Sequence, residues 1–238
     1  MKSNDLKLVK LRQTKGTGRA WDQTSSTLHD LILSIPSCSR IFVNRDAGVA
    51  RGHLEASWRQ VLQRALSNPE EISLLDNRGR TALHCACAKR PPLQVVRVLL
   101  TSSGNDDAHI ESFLLKKDNH GRIPIHASLA NHAALDVMRY LLHRCEKSAE
   151  VTDNAHNLPL HVACMGDFDQ DRAVIVQDLI EAFRDGAGIF SRAGKTPLSL
   201  AVECGGSLNV IHTLLEGKKL RQISEYMRKS KNSQFKRL

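Results

Sequence analysis

Four stretches of this chain repeat one another. They read DNRGRTALHCACAKRPPLQVVRVLL from residue 76, DNHGRIPIHASLANHAALDVMRYLL from 118, DNAHNLPLHVACMGDFDQDRAVIVQDLI from 153 and SRAGKTPLSLAVECGGSLNVIHTLL from 191. Their starts lie 42, 35 and 38 residues apart. A period of this size restricts the fold more than composition does, because one unit is too short to bury its own apolar face and neighbours must stack to share a core. Each unit opens on a polar turn, with glycine at its fourth position in three of the four (Gly79, Gly121, Gly194). A short helix is predicted next, with Thr81 or Thr196 as N-cap and Pro124, Pro159 or Pro197 at the first helical position, where the missing N–H costs nothing. A longer helix follows a second turn. Its apolar residues recur at 3.6-residue spacing: Leu93, Val96, Leu99 and Leu100; Leu135, Met138, Leu141 and Leu142; Leu208, Ile211, Leu214 and Leu215.

The pattern resembles the ankyrin repeat, whose signature is T-P-L-H-x-A in a period of ~33 residues. TALHCA, LPLHVA and KTPLSLA carry the resemblance, which covers residues 76 to about 216. It implies an all-α, ankyrin-repeat solenoid of stacked helix-turn-helix pairs with hairpin-like finger turns. On that reading residues 51–217 are the repeat domain, with repeats from 76, 118, 153 and 191. Leu66 lies ten residues before Asp76, near the eleven that separate Leu142 from Asp153 and Ile180 from Ser191, so 54–75 is expected to be a half-repeat cap. Residues 1–50 read as a basic extension with one helix near 24–36, and 218–238 as a basic tail.

The units also depart from the family pattern. Ile123 and Leu158 stand where a capping threonine is expected, a loss of ~0.5–2 kcal/mol. His156 stands at a turn position suited to glycine. The second and third repeats are therefore expected to be the least stable. Two insertions, TSSGNDDAHIESFLLKKD and GDFDQD, are expected to protrude as loops.

Three strings invite a chemical reading. His84, Cys85 and Cys87 carry metal-ligand atoms, but Cys85 and Cys87 fall on different helix faces. The matching His161 and Cys164 sit two packing steps of ~8–10 Å away, outside a coordination sphere. Cysteine at 85 and 87 is better read as a small apolar filler, with His84 hydrogen-bonded locally. GAGIFSRAGKT (186–196) contains the Gly-Lys-Thr of a phosphate loop, yet five residues before Gly194 stands Ile189 where the loop needs glycine. DFDQDRAVIVQD (167–178) spaces Asp167, Asp169 and Asp171 like a calcium loop, but puts Arg172 where the turn needs glycine. No serine, histidine and acid set, no carboxylate pair and no HExxH is present. The sequence is read as non-catalytic, with no cofactor, metal or small-molecule substrate.

Charge is concentrated at the ends. The net charge is +9, of which residues 1–20 hold +5 and 217–238 hold +7, leaving about −3 for the body. The arms permit a second reading, a tether to nucleic acid or anionic membrane, or a targeting segment. An aromatic content of 4% speaks against a base-stacking surface. In the tail, Leu220, Ile223 and Met227 lie at helical spacing, which fits either a C-terminal cap helix or an attachment site. Six cysteines without a CxxC pair fit reduced thiols in cytoplasm or nucleus. No apolar run approaches the ~18 residues of a membrane span.

A non-catalytic scaffold that binds a protein partner is therefore expected. The resemblance places its contacts on finger turns and inner-helix ends: Asn77, Arg78 and Arg80; His120 and Arg122; Ala155 and Asn157; Arg192 and Lys195; with Lys89 and Asn131 beside them. Five of the nine finger positions are basic and none acidic, so the partner segment is expected to be acidic.

Overall fold

A computed structural model describes residues 27–36, 47–102, 106–165 and 170–217. The described residues are helical, with no strands. The helices are α1 (Leu28–Ser34), α2 (Ala47–Ser67), α3 (Ala82–Cys87), α4 (Leu93–Thr101), α5 (Asp107–Leu114), α6 (Pro124–Ala130), α7 (Leu135–Arg144), α8 (Pro159–Ala163), α9 (Gln170–Ala182), α10 (Pro197–Glu203) and α11 (208–217).

Helices alternate between two rows. An inner row of short helices runs α1, α3, α6, α8, α10, each packed on the next. An outer row runs α2, α4, α7, α9 in the same way, and Gly217 of α11 lies against Ile180 of α9. The helix expected near 24–36 is α1. It packs on both α2 and α3, so the half-repeat expected at 54–75 has an inner-row partner, and α2 starts at Ala47. Thr27 caps α1, and Glu71 Oε2 accepts the Leu28 N–H at 2.8 Å, tying α1 to the 3-10 turn Pro69–Ser73 that follows α2.

The core is a continuous apolar seam between the rows. Thr81 and Thr196 cap α3 and α10, and the three prolines begin α6, α8 and α10. Val95, Val137 and Val210 are buried alongside the leucines at the expected spacing. Leu208 and Leu215 are instead exposed, at 83% and 42%.

Two expectations change. Ile123 and Leu158, which cannot cap through a side chain, are both 0% exposed. Burying such a side chain contributes ~1.5–3 kcal/mol, enough to offset a missing cap of ~0.5–2 kcal/mol, so the expectation that these two repeats are the weakest loses its basis. The first insertion also differs from a loop over its middle part. Residues 107–114 form α5, which packs on α4 and α7 and buries Ile110, Phe113 and Leu114. Arg144 and Lys147 pair with Asp107 and Glu111 at 3.0 and 2.8 Å and fasten it. The second insertion lies mostly outside the described residues.

Candidate functional site

The finger turns are built by one device repeated. In the first three, the aspartate at the opening position accepts two main-chain N–H groups through Oδ1: Asp76 from Arg78 and Arg80, Asp118 from His120 and Arg122, Asp153 from Ala155 and Asn157, at 2.8–2.9 Å. In the fourth, Ser191 Oγ accepts from Lys195 N at 3.3 Å. Closing the turn requires a left-handed residue at its fourth position. Gly79, Gly121 and Gly194 have φ near +71 to +74°, and His156 adopts the same region at +58°. A side chain on Gly79 or Gly121 would also collide with the asparagine of the next turn, since an added Cβ would sit 2.5 Å from Asn119 Oδ1 or 2.4 Å from Asn154 Oδ1.

Successive fingers join edge to edge. Asn119 N donates to Arg78 O, Asn154 N to His120 O and Arg192 N to Ala155 O, each at 2.9 Å. Side chains reinforce the row, with Asn119 Nδ2 donating to Asn77 O at 3.4 Å and Asn154 Nδ2 to Asn119 O at 3.1 Å. The tips therefore stand in a fixed line.

A second ladder runs behind the fingers through buried imidazoles. His29, His84, His126 and His161 each reach through Nε2 to the carbonyl just before the cap of the following unit: Arg80 O, Arg122 O, Asn157 O and Lys195 O, at 3.0–3.2 Å. In the last three, Nδ1 accepts the main-chain N–H of Thr81, Ile123 or Leu158, so the ring is neutral and Nε2 is the donor. Burial pushes His84 and His161 below the ordinary imidazole value and His126 down to about 4. In the fourth unit Ser199 occupies the histidine position and bonds back to Thr196. The T-P-L-H pattern pointed to a local bond; the bond onward to the next unit was missed.

The residues expected to touch a partner separate into two groups. Arg80 pairs with Asp76 at 2.7 Å, Arg122 with Asp118 at 3.5 Å, and Lys195 with Glu203. Burial alone would raise the Asp76 carboxyl, but the Arg80 N–H, the Arg80 guanidinium and the Arg78 N–H outweigh it and hold it low. Asn157 bonds Asp153, and Asn131 bonds Ala127 O within its own helix. Lys89 donates to Ile35 O at 2.7 Å, at the end of α1. These side chains are engaged in the fold. Asn77, Arg78, His120 and Arg192 are exposed, with no side-chain partner among the described residues. The acidic residues that open the turns escaped the count of finger charges, because they sit one or two positions before it.

The same neighbourhood disposes of the other strings. Cys85 and Cys87 are fully buried, and burial raises their thiols to about 11 and about 12, leaving them protonated. Arg172 is 3% exposed and donates to Leu129 O at 3.0 Å, turned into the stack, while Asp178 pairs with Arg139. Gly186 and Gly188 belong to the 3-10 turn Arg184–Gly188. Asp167 and Asp169 lie outside the described residues.

Stacked helix pairs whose turns join edge to edge, with no convergent catalytic set among the described residues, define a helical-repeat solenoid. Residues 52–154 match a family model described as Ankyrin repeats (3 copies). That stretch of the chain carries ankyrin repeats, which are generally protein-protein interaction modules and typically non-catalytic. A comparison with curated proteins returned no match. Among the described residues, no helix is long and apolar enough to cross a membrane.

Proposed function

We propose that this protein is a non-catalytic scaffold that binds an acidic, extended segment of a partner protein along its finger ridge. The observation that carries this reading is the line of exposed tips, Arg78, His120 and Arg192, held in register by main-chain hydrogen bonds from one finger to the next. A rigid row of exposed polar tips, two of them arginines, loses little on binding and offers complementarity in both charge and spacing.

The inner-row positions in front of the fingers support it. In the fourth unit Lys195 reaches across to Glu203. The equivalent positions in the preceding units are Ala88, Ala130 and Met165, of which Ala130 and Met165 are exposed. A basic edge beside the exposed Ala130 and Met165 suits a segment that alternates acidic and small apolar residues.

The test is an affinity capture at about 150 mM salt with the whole chain and with Arg78→Glu/Arg192→Glu. Partners held by the parent and lost by the variant support the ridge. An unchanged set, with unchanged salt response, removes it. The basic arms at 1–20 and 218–238 lie outside the described residues, and a tether through them would instead show binding that collapses between about 50 and 200 mM salt. Residence in cytoplasm or nucleus follows the reduced thiols and is part of the same proposal.

A further inference from the structure

The last unit exposes a face that every earlier unit covers. Cys87, Leu129, Cys164 and Val202 are equivalent positions on the inner row; the first three are 0% exposed and Val202 is 59% exposed. On the outer row Leu100, Leu142 and Ile180 are 0%, 6% and 5% exposed, and the equivalent Leu215 is 42%. Positions that look into their own unit show no such break: Leu99, Leu141, Leu179 and Leu214 are all within 1% of fully buried. Val202, Leu215 and the neighbouring Leu208 thus form an apolar surface shaped to receive one more layer.

We propose that residues 218–238 of this chain supply that layer, with Leu220, Ile223 and Met227 packed on Val202 and Leu215. The chain leaves α11 at this very end of the stack, and a helix over 220–227 would be ~12 Å long, the scale of the inner-row helices. A straight continuation of α11 would not serve. At 100° per residue the Leu220/Ile223/Met227 stripe lies about 110° around the axis from the inward face of Val210, Leu214 and Gly217, so the chain must turn first. Charge agrees: residues 218–238 carry eight lysines and arginines against Glu225, and the exposed Glu216 stands in the last turn of α11. A repeat stack needs its terminal face screened from water, and a segment with one apolar stripe and a basic remainder does this. The proposal is independent of the finger ridge.

The test uses the full chain and three variants: Val202→Asp, Leu220→Asp/Ile223→Asp/Met227→Asp, and the two combined. Thermal midpoint, amide exchange by helix and sedimentation are read for each. A bare Val202 would tolerate aspartate with almost no shift. The expected result is that each variant lowers the midpoint by several degrees and speeds exchange in α10 and α11 about tenfold, with α3 and α4 unchanged and the combined variant no worse than either alone. A midpoint and exchange unaffected by the tail substitutions overturn the proposal. So does a parent dimer that Val202→Asp dissociates and the tail variant does not, since a second copy would then be the cover.

Discussion

At the scale of single residues, burial decides more than capping does. Replacing Ile123 with alanine is expected to cost about 2–4 kcal/mol in urea denaturation, whereas Thr81→Ala costs about 1 kcal/mol, although threonine is the residue the repeat pattern would favour at both places. The left-handed turn position gives a second ordering. Gly79→Ala and Gly121→Ala meet both an unfavourable φ and an asparagine of the next finger, while Gly194→Ala meets only the φ, having nothing within 4 Å. Melting temperatures are expected to fall furthest for the first two, and His156→Gly to raise stability by up to about 1 kcal/mol. Among the described cysteines only Cys204 is exposed. With Cys38 changed to serine, one thiol is expected to react quickly with an aromatic disulfide reagent under native conditions, and Cys204→Ser to abolish that reaction. Rapid labelling of Cys85 or Cys87 would contradict their place in the core.

At the scale of elements, α5 is the one helix among the described residues that lies outside the two rows. It lies beside the end of α7 through the Asp107–Arg144 and Glu111–Lys147 pairs, and its Phe113 and Ile110 are buried. Phe113→Asp is expected to detach it and destabilise the protein by about 3 kcal/mol, and a denaturation midpoint equal to the parent's would show that α5 is only a decoration. This helix also marks where sequence reading stopped. The repeats, their caps and their prolines were legible because each is a local pattern that recurs, and α3, α6, α8 and α10 follow from it. The insertion offered no second copy against which to align its apolar residues. Likewise the pairing of Arg80 with Asp76, and of Lys89 with a carbonyl of α1, depends on which way a long side chain folds, and spacing alone does not encode that. The finger residues were therefore found as positions, but not sorted into those that hold the turn and those that face outward.

At the scale of the whole molecule, stability is tied to pH through the imidazole ladder. His84, His126 and His161 hold protons less tightly when folded than unfolded, so below about pH 6.5, and for His126 down to about 4, the unfolded chain binds the extra protons. Stability contributed by the ladder is present above the unfolded value and is lost as pH falls through the folded one. The urea midpoint is expected to decline across that window, and His126→Gln to flatten the decline while lowering stability at pH 7. The ladder has one more property. Each rung gives a side chain on one side and only a peptide carbonyl on the other, so the receiving unit contributes nothing peculiar to its own residues. A layer could be duplicated, removed or exchanged between Arg80 and Lys195 and still find its imidazole bond, which leaves this ladder indifferent to the number of layers it joins.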